Sequence, residues 1–152
     1  MGKQQHVEGA AWSAAPPAAV YALLVDGETW PSWSGHDEFE LETPGEGDGD
    51  GLGAVRILRR GRIRSRERIV ELVPERRLGY VLLSGMPLRD YRADVDLTPE
   101  REGTAIRWHA DFSAPPGTGW IYRRALDRFL GQTAAGLAAR AAEVAGAGPR
   151  GA

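Results

Sequence analysis

The strongest constraint on this fold is a two-residue alternation running from Leu88 to Phe112. Tyr91, Ala93, Val95 and Leu97 fall on one face, and Asp90, Arg92, Asp94 and Asp96 on the other. After a turn at Pro99–Gly103 the pattern resumes, with Ile106, Trp108, Ala110 and Phe112 set against Arg107, His109 and Asp111. Side chains of a strand alternate between faces, so these are antiparallel strands with one apolar face and one wet face. The apolar face demands a cover. Trp120 to Val144 is predicted to be the covering helix, with Thr118 as its N-cap. Tyr122, Leu126, Phe129, Thr133, Leu137, Ala141 and Val144 form its apolar stripe. Its middle is poor in bulk (Gly131, Ala134, Ala135, Gly136, Ala138, Ala139), so it can lie close to a sheet or leave space beside it.

The other elements follow from local chemistry. His6–Ala14 reads as a first strand. Pro16 and Pro17 then start a helix, since a proline in the first turn loses no hydrogen bond, and Val20, Leu23 and Leu24 are helix-spaced. Asp26 and Trp30-Pro31-Ser32-Trp33 form a second short helical turn. Further strands are predicted at Phe39–Thr43, Ala54–Arg60, Ile63–Val73 and Leu78–Ser84. Pro44–Gly53 is a glycine- and acid-rich hairpin loop. It lacks the oxygen-ligand set of a calcium loop, so a solvated, flexible connection is expected. The order is strand, two short helices, six strands, long helix: an α+β domain with a seven-stranded antiparallel sheet.

The 152 residues suit one domain, and 42% hydrophobic residues support a core. There is no cysteine, which excludes disulfides and thiolate sites. A net charge of −2 gives no general pull towards nucleic acid. No apolar run spans a bilayer, and the first residues do not read as a secretory signal, so a cytoplasmic protein without stable membrane insertion is expected. No metal is expected from three scattered histidines, His6, His36 and His109. No phosphate loop or nucleophile elbow is present, and no cofactor is expected.

Several segments together resemble a known family. They are Ala15-Pro16-Pro17 before Val20-Tyr21-Ala22-Leu23-Leu24, Asp26 with Trp30-Pro31-Ser32-Trp33, Glu71 to Leu78, Gly85 to Arg92, Gly103 to Trp108, and the closing helix. The chain resembles the START-like (SRPBCC) helix-grip superfamily, in its bacterial polyketide cyclase/dehydrase branch, across residues 6–145. Residues 1–5 and 146–152 are expected to be flexible ends. The resemblance implies a curved sheet wrapped around the C-terminal helix with a cavity between them. It implies a carrier, sensor or sequestering protein for a lipid-like or aromatic small molecule, as a monomer or weak homodimer. The alternative it implies is a polyketide cyclase or aromatase catalysing aldol closure and dehydration.

The expected ligand contacts are Trp30, Trp33, Phe39, Tyr80, Tyr91, Val95, Trp108 and Phe129, because pockets are mostly apolar and aromatic with few polar anchors. Trp33 is expected at the gate. The candidate catalytic groups are Tyr91 and an arginine on the strand Ile63–Val73. By resemblance, Arg66 or Arg68 would project inward as an acid or oxyanion stabiliser. If the strand instead bulges, Ile69 faces in. His109 and Asp111 share a face, about 7 Å apart by strand rise, and Trp108 claims the inward side, so His109 is expected outside.

Overall fold

The computed structural model describes residues 3–146. Seven strands form one antiparallel sheet in the order β1-β7-β6-β5-β4-β3-β2. They are β1 (Gln4–Ser13), β2 (Glu38–Thr43), β3 (Val55–Arg60), β4 (Ile63–Val73), β5 (Arg77–Ser84), β6 (Arg89–Glu100) and β7 (Gly103–Ser113). Strands β2 to β7 form a meander. The first strand lies at the far edge, against β7, so the chain between β1 and β2 crosses the sheet from edge to edge. That crossover holds helix α1 (Pro17–Val25) and a 3₁₀ turn, α2 (Gly27–Ser32); the long helix is α3 (Gly119–Gly146). This is the helix-grip α+β architecture expected from the sequence.

Local residues explain the crossover. Pro16 caps α1 in an extended conformation, and its carbonyl accepts the Ala19 and Val20 amides. At the other end, Asp26 Oδ1 accepts the Glu28 amide at 3.2 Å and starts α2. Thr29 Oγ1 donates to the carbonyls of Leu23 and Asp26 and ties the two helices together.

The alternation of β6 and β7 sorts as its period requires. Tyr91, Ala93, Val95, Leu97, Ile106, Trp108, Ala110 and Phe112 are buried. The opposite face carries ion pairs such as Arg77–Asp96 at 2.6 Å and Arg92–Glu71 at 2.6 Å. His109 lies on that outer face and meets Asp96 at 2.7 Å, while Asp111 pairs with His6 at 2.7 Å.

Helix α3 lies over β1 and β7 at one side of the sheet and also touches α1. The approach to β1 is close because Gly9 has no side chain. A Cβ there would meet the α3 backbone, 2.4 Å from the Gly131 nitrogen and 2.6 Å from the Leu130 oxygen. On the helix's other flank, a Cβ on Gly136 would come 2.0 Å from the Trp33 carbonyl oxygen. The small residues of α3 thus serve contact with both β1 and the crossover.

Two boundaries, one burial pattern and one loop differ from the sequence reading. Strand β1 begins at Gln4, because Gln4 and Gln5 pair with Ser113 and Phe112, so these two residues belong to the sheet rather than to a flexible end. Helix α3 runs through Gly146, and residues 147–152, expected to be a flexible tail, lie outside the described residues. The buried stripe of α3 is Leu126, Leu130, Thr133, Ala134, Leu137, Ala138 and Ala141; Val144 is 44% exposed because the helix has passed the sheet edge there. Finally, the Pro44–Gly53 loop is tied down rather than free. Gly45 donates to the Gly49 carbonyl, and Asp50 Oδ2 accepts the Gly27 amide at 3.1 Å.

Candidate functional site

The orientation of β4 decides what the site contains. In the pairing with β5, Ile69 stands opposite Tyr80 and Glu71 opposite Gly79, leaving Val70 as an extra, bulged residue. The bulge resets the alternation. Ser65, Glu67 and Ile69 face the concave side with Leu72, while Arg64, Arg66 and Arg68 face the convex side. Ile69 is buried. Arg66 makes a two-pronged contact with Glu42 on the outside, at 2.8 and 2.7 Å. Arg66 and Arg68 therefore do not reach the interior, and the arginine role drawn from the resemblance finds no support at either position.

A different arginine is inside. Arg56 stands opposite Glu67 across the β3–β4 ladder and is 2% exposed. Its guanidinium lies 4.6 Å over the Trp30 ring and 5.6 Å from the Phe39 ring, and its Nη1 donates to the Leu24 carbonyl at 3.2 Å. Asp50 approaches its Nε at 3.7 Å. One guanidinium nitrogen, Nη2, and Asp50 Oδ1 have no hydrogen-bond partner. Stacking on two rings suits a guanidinium, which is weakly hydrated and planar.

Glu67 is the unusual group. It keeps some accessible surface, yet protein encloses its carboxyl so fully that burial raises its pKa to about 7, against a partial opposing pull from Arg56. No protein hydrogen bond to this carboxyl is found among the described residues. Its charge in turn raises the pKa of both Tyr80 and Tyr91, after the larger effect of their burial.

Those tyrosines are neighbours on the concave face. Trp108 Nε1 donates to the Tyr80 hydroxyl at 3.2 Å. An indole N–H can only donate, so the Tyr80 hydroxyl keeps its own proton to donate, and the Tyr91 ring stands beside it at 6.5 Å between centroids. The Tyr91 ring stacks on Phe112 at 5.9 Å, which fixes its direction.

The tryptophans have another role. Trp30, Trp33 and Trp108 meet as a three-ring cluster, with centroids 4.9, 5.5 and 6.1 Å apart. Each indole N–H is satisfied within the protein, by the Leu24 carbonyl, Thr29 Oγ1 and Tyr80 respectively. With Trp33 only 7% exposed, the cluster is packed core beneath the crossover, and Trp33 is not at a gate. Val95 is likewise fully buried. Phe39 packs against the same core and against Arg56.

The opening lies towards the β3–β4 hairpin and the β5–β6 turn. A half-enclosed apolar cavity of about 160 Å³ is walled by Ile63 and Ser65 of β4, Met86 of the β5–β6 turn, and Tyr122, Leu126 and Phe129 of α3, with His36 and Arg60 at its rim. Of the expected ligand contacts, Phe129 belongs to this wall. Glu67 lies two residues beyond Ser65 on the same strand face. His36 is half-buried against Phe129, 5.4 Å between ring centroids, and its Nδ1 meets Ser34 Oγ at 2.8 Å. Burial, reinforced by the charge of Arg60, lowers its pKa to about 4, so it is neutral at pH 7.

The sequence did not point to Arg56, Glu67 or Asp50. The usable signal was that Arg56 sits between Ala54 and Leu58, two apolar residues on its own face. For Glu67 no such signal exists, because its neighbours Arg66 and Arg68 are charged as well.

A curved antiparallel sheet gripping a C-terminal helix, with an apolar opening between them, defines a START-like helix-grip protein. The chain belongs to the family described as polyketide cyclase / dehydrase and lipid transport, whose model matches residues 4–142. Solved structures share the fold at low identity. A START superfamily protein from Mycobacterium smegmatis superposes with a TM-score of 0.77 at 14% identity, over 91% of this chain and 98% of that one. A protein from Thermobifida fusca gives 0.73 at 23% identity, over 91% and 94%. XoxI from Bacillus cereus gives 0.75 at 14%, over 91% and 96%. No curated protein matches the sequence.

Proposed function

We propose that this protein binds a hydrophobic small molecule in the hollow between α3, β4 and the β5–β6 turn, as a carrier, sensor or sequestering protein. The observation that carries this reading is the half-enclosed apolar cavity walled by Ile63, Met86, Tyr122, Leu126 and Phe129, with the Glu67 carboxyl two residues from its Ser65 wall on the same strand face. An apolar pocket with a few fixed polar groups is what selects and orients a small ligand. The family and the shared fold support the same class. A volume of about 160 Å³ suits one or two rings or part of an acyl chain. Tyr91 can donate to a ligand carbonyl or hydroxyl oxygen. Glu67 can accept from a ligand O–H when ionised and donate when protonated.

The test is calorimetric titration with 2-naphthol, naphthalene and decanol. Saturable binding of 2-naphthol, tighter than that of naphthalene, is expected. Tyr91→Phe should reduce that preference by about fivefold, the worth of one hydrogen bond. Absence of saturable binding for all three probes would overturn the reading.

A second reading, cyclase chemistry, draws on the same two groups. A carboxylate with a pKa near 7 can take a proton from the carbon beside a ketone, and a tyrosine O–H can stabilise the enolate that results. Holding the reacting carbons together would supply much of the remaining acceleration. Under this reading Glu67→Gln abolishes ring closure of a short poly-β-ketone thioester while leaving its binding in place.

A further inference from the structure

The start of α3 presents a face that the domain itself does not use. Trp120 is 61% exposed and Ile121 48% exposed, and Ile63 at the tip of the β3–β4 hairpin is 43% exposed. Over about two and a half helical turns, Trp120, Ile121, Arg124 and Arg128 project from the same side. Arg60 of the hairpin completes a groove of about 460 Å³ with Trp120, Ile121, Arg124, Arg128 and Phe129. Its guanidinium lies 4.6 Å over the Phe129 ring, which holds the charge at the rim.

The charge here departs from that of the chain. The whole protein carries −2, yet this end collects Arg60, Arg62, Arg123, Arg124 and Arg128, all exposed. Among the described residues, no carboxylate lies within ion-pair distance of any of the five. The nearby acids are engaged elsewhere. Asp37 accepts the Gly61 amide at 2.8 Å, Glu38 faces Arg59 at 3.6 Å, and Asp127 accepts the Glu8 amide at 2.9 Å.

We propose that this face docks the protein on the surface of an anionic lipid bilayer. Unpaired arginines beside an exposed tryptophan and isoleucines match the layered chemistry of a membrane surface: phosphate oxygens outside, an interfacial zone that takes tryptophan, and acyl chains beneath for aliphatic side chains. An acidic protein would satisfy the arginines but not this ordering. Single-stranded nucleic acid would need several stacking rings, and Trp120 is the one strongly exposed aromatic of this groove. No helix of the described residues is long and apolar enough to cross a membrane, so the contact is peripheral. The groove also adjoins the ligand opening, since Arg60, Ala125 and Phe129 line both. If the hollow holds a hydrophobe, docking here lets it pass between protein and acyl chains without crossing water.

The test is vesicle co-sedimentation of the unliganded protein. Vesicles of phosphatidylcholine alone are compared with vesicles that also contain phosphatidylglycerol. Binding to the mixed vesicles is expected to be about tenfold or more tighter, and to fall as sodium chloride is raised. Trp120→Ser with Ile121→Ser, and separately Arg124→Gln with Arg128→Gln, should each weaken it about tenfold. Val144→Ser, about 36 Å away along the helix by its rise per residue, should change nothing. The proposal is overturned if the mixed vesicles are not bound, if both paired variants bind like the parent, or if polyglutamate or a single-stranded oligonucleotide binds the same face more tightly than the vesicles. No small-molecule probe is present, so the result is independent of whether 2-naphthol enters the hollow.

Discussion

Arg56 and Glu67 stand directly opposite each other on the β3–β4 ladder, both on the concave face, and no hydrogen bond joins them. The arginine is spent on Trp30, Phe39 and the Leu24 carbonyl. The glutamate is left on the concave face with its proton nearly balanced at neutral pH. A buried cation lowers the carboxyl's pKa only in part, because burial disfavours the charged form more strongly at this position.

Glu67 and His36 should have opposing effects on stability as pH changes. Glu67 is raised from its ordinary 4.5 to about 7, so between these values the folded chain holds the extra proton and stability falls as pH rises. His36 is lowered from 6.5 to about 4, so in that range the unfolded chain holds the extra proton and stability rises with pH. The two slopes cancel between about 4.5 and 6.5. Glu67→Gln should unmask a gain on the order of 2 kcal/mol from pH 4 to 6.5, and His36→Asn a loss of similar size from pH 4.5 to 7. Urea midpoints across pH, taken as differences from the parent, measure both; parallel curves would refute the assignment.

Removing the buried guanidinium should be costly. Arg56→Ala empties the space between Trp30 and Phe39 and strands Asp50 beside the crossover, so a loss of about 3 kcal/mol is expected. Arg56→Met keeps much of the packing and should recover part of it. Urea denaturation followed by tryptophan fluorescence checks this, because Trp30 lies under the guanidinium.

The glycines at the helix contacts should separate cleanly. Gly9→Ala and Gly136→Ala force a Cβ into backbone atoms at 2.4 and 2.0 Å and should cost more than about 2 kcal/mol each. A Cβ on Gly131 meets nothing within 4 Å. Gly131→Ala should therefore stabilise the protein, by up to about 1 kcal/mol of helix propensity. Thermal melts of the three variants give the order directly.

Arg66→Ala should leave 2-naphthol affinity within about twofold of the parent, since its partner is Glu42 on the convex face. A larger loss would place Arg66 back in the site and undo the orientation assigned to β4.

Much of the architecture was legible in the sequence because it rests on local periodicity. The alternation of Tyr91 to Phe112 assigns inside and outside unambiguously, since apolar and charged residues never share a face there. Pro16-Pro17 marks a helix start for a reason internal to proline. The segment Arg64-Ser65-Arg66-Glu67-Arg68 offers no such contrast, because charged residues occupy both faces.

What the sequence alone determined is therefore the order and type of elements, the one-faced sheet and the covering helix. Only the tertiary structure decided which way β4 faces. A single bulged residue, Val70, exchanges the two faces of the strand, and its position depends on pairing with β5 rather than on any preference of its own. That exchange sends Arg66 and Arg68 outward and brings Glu67 in. The same holds for the tryptophans: composition marks them as candidates for core or pocket, and ring-to-ring packing across α2 and β7 makes them core. The opening moves to where the first turns of α3 stand beside the β3–β4 hairpin and the β5–β6 turn.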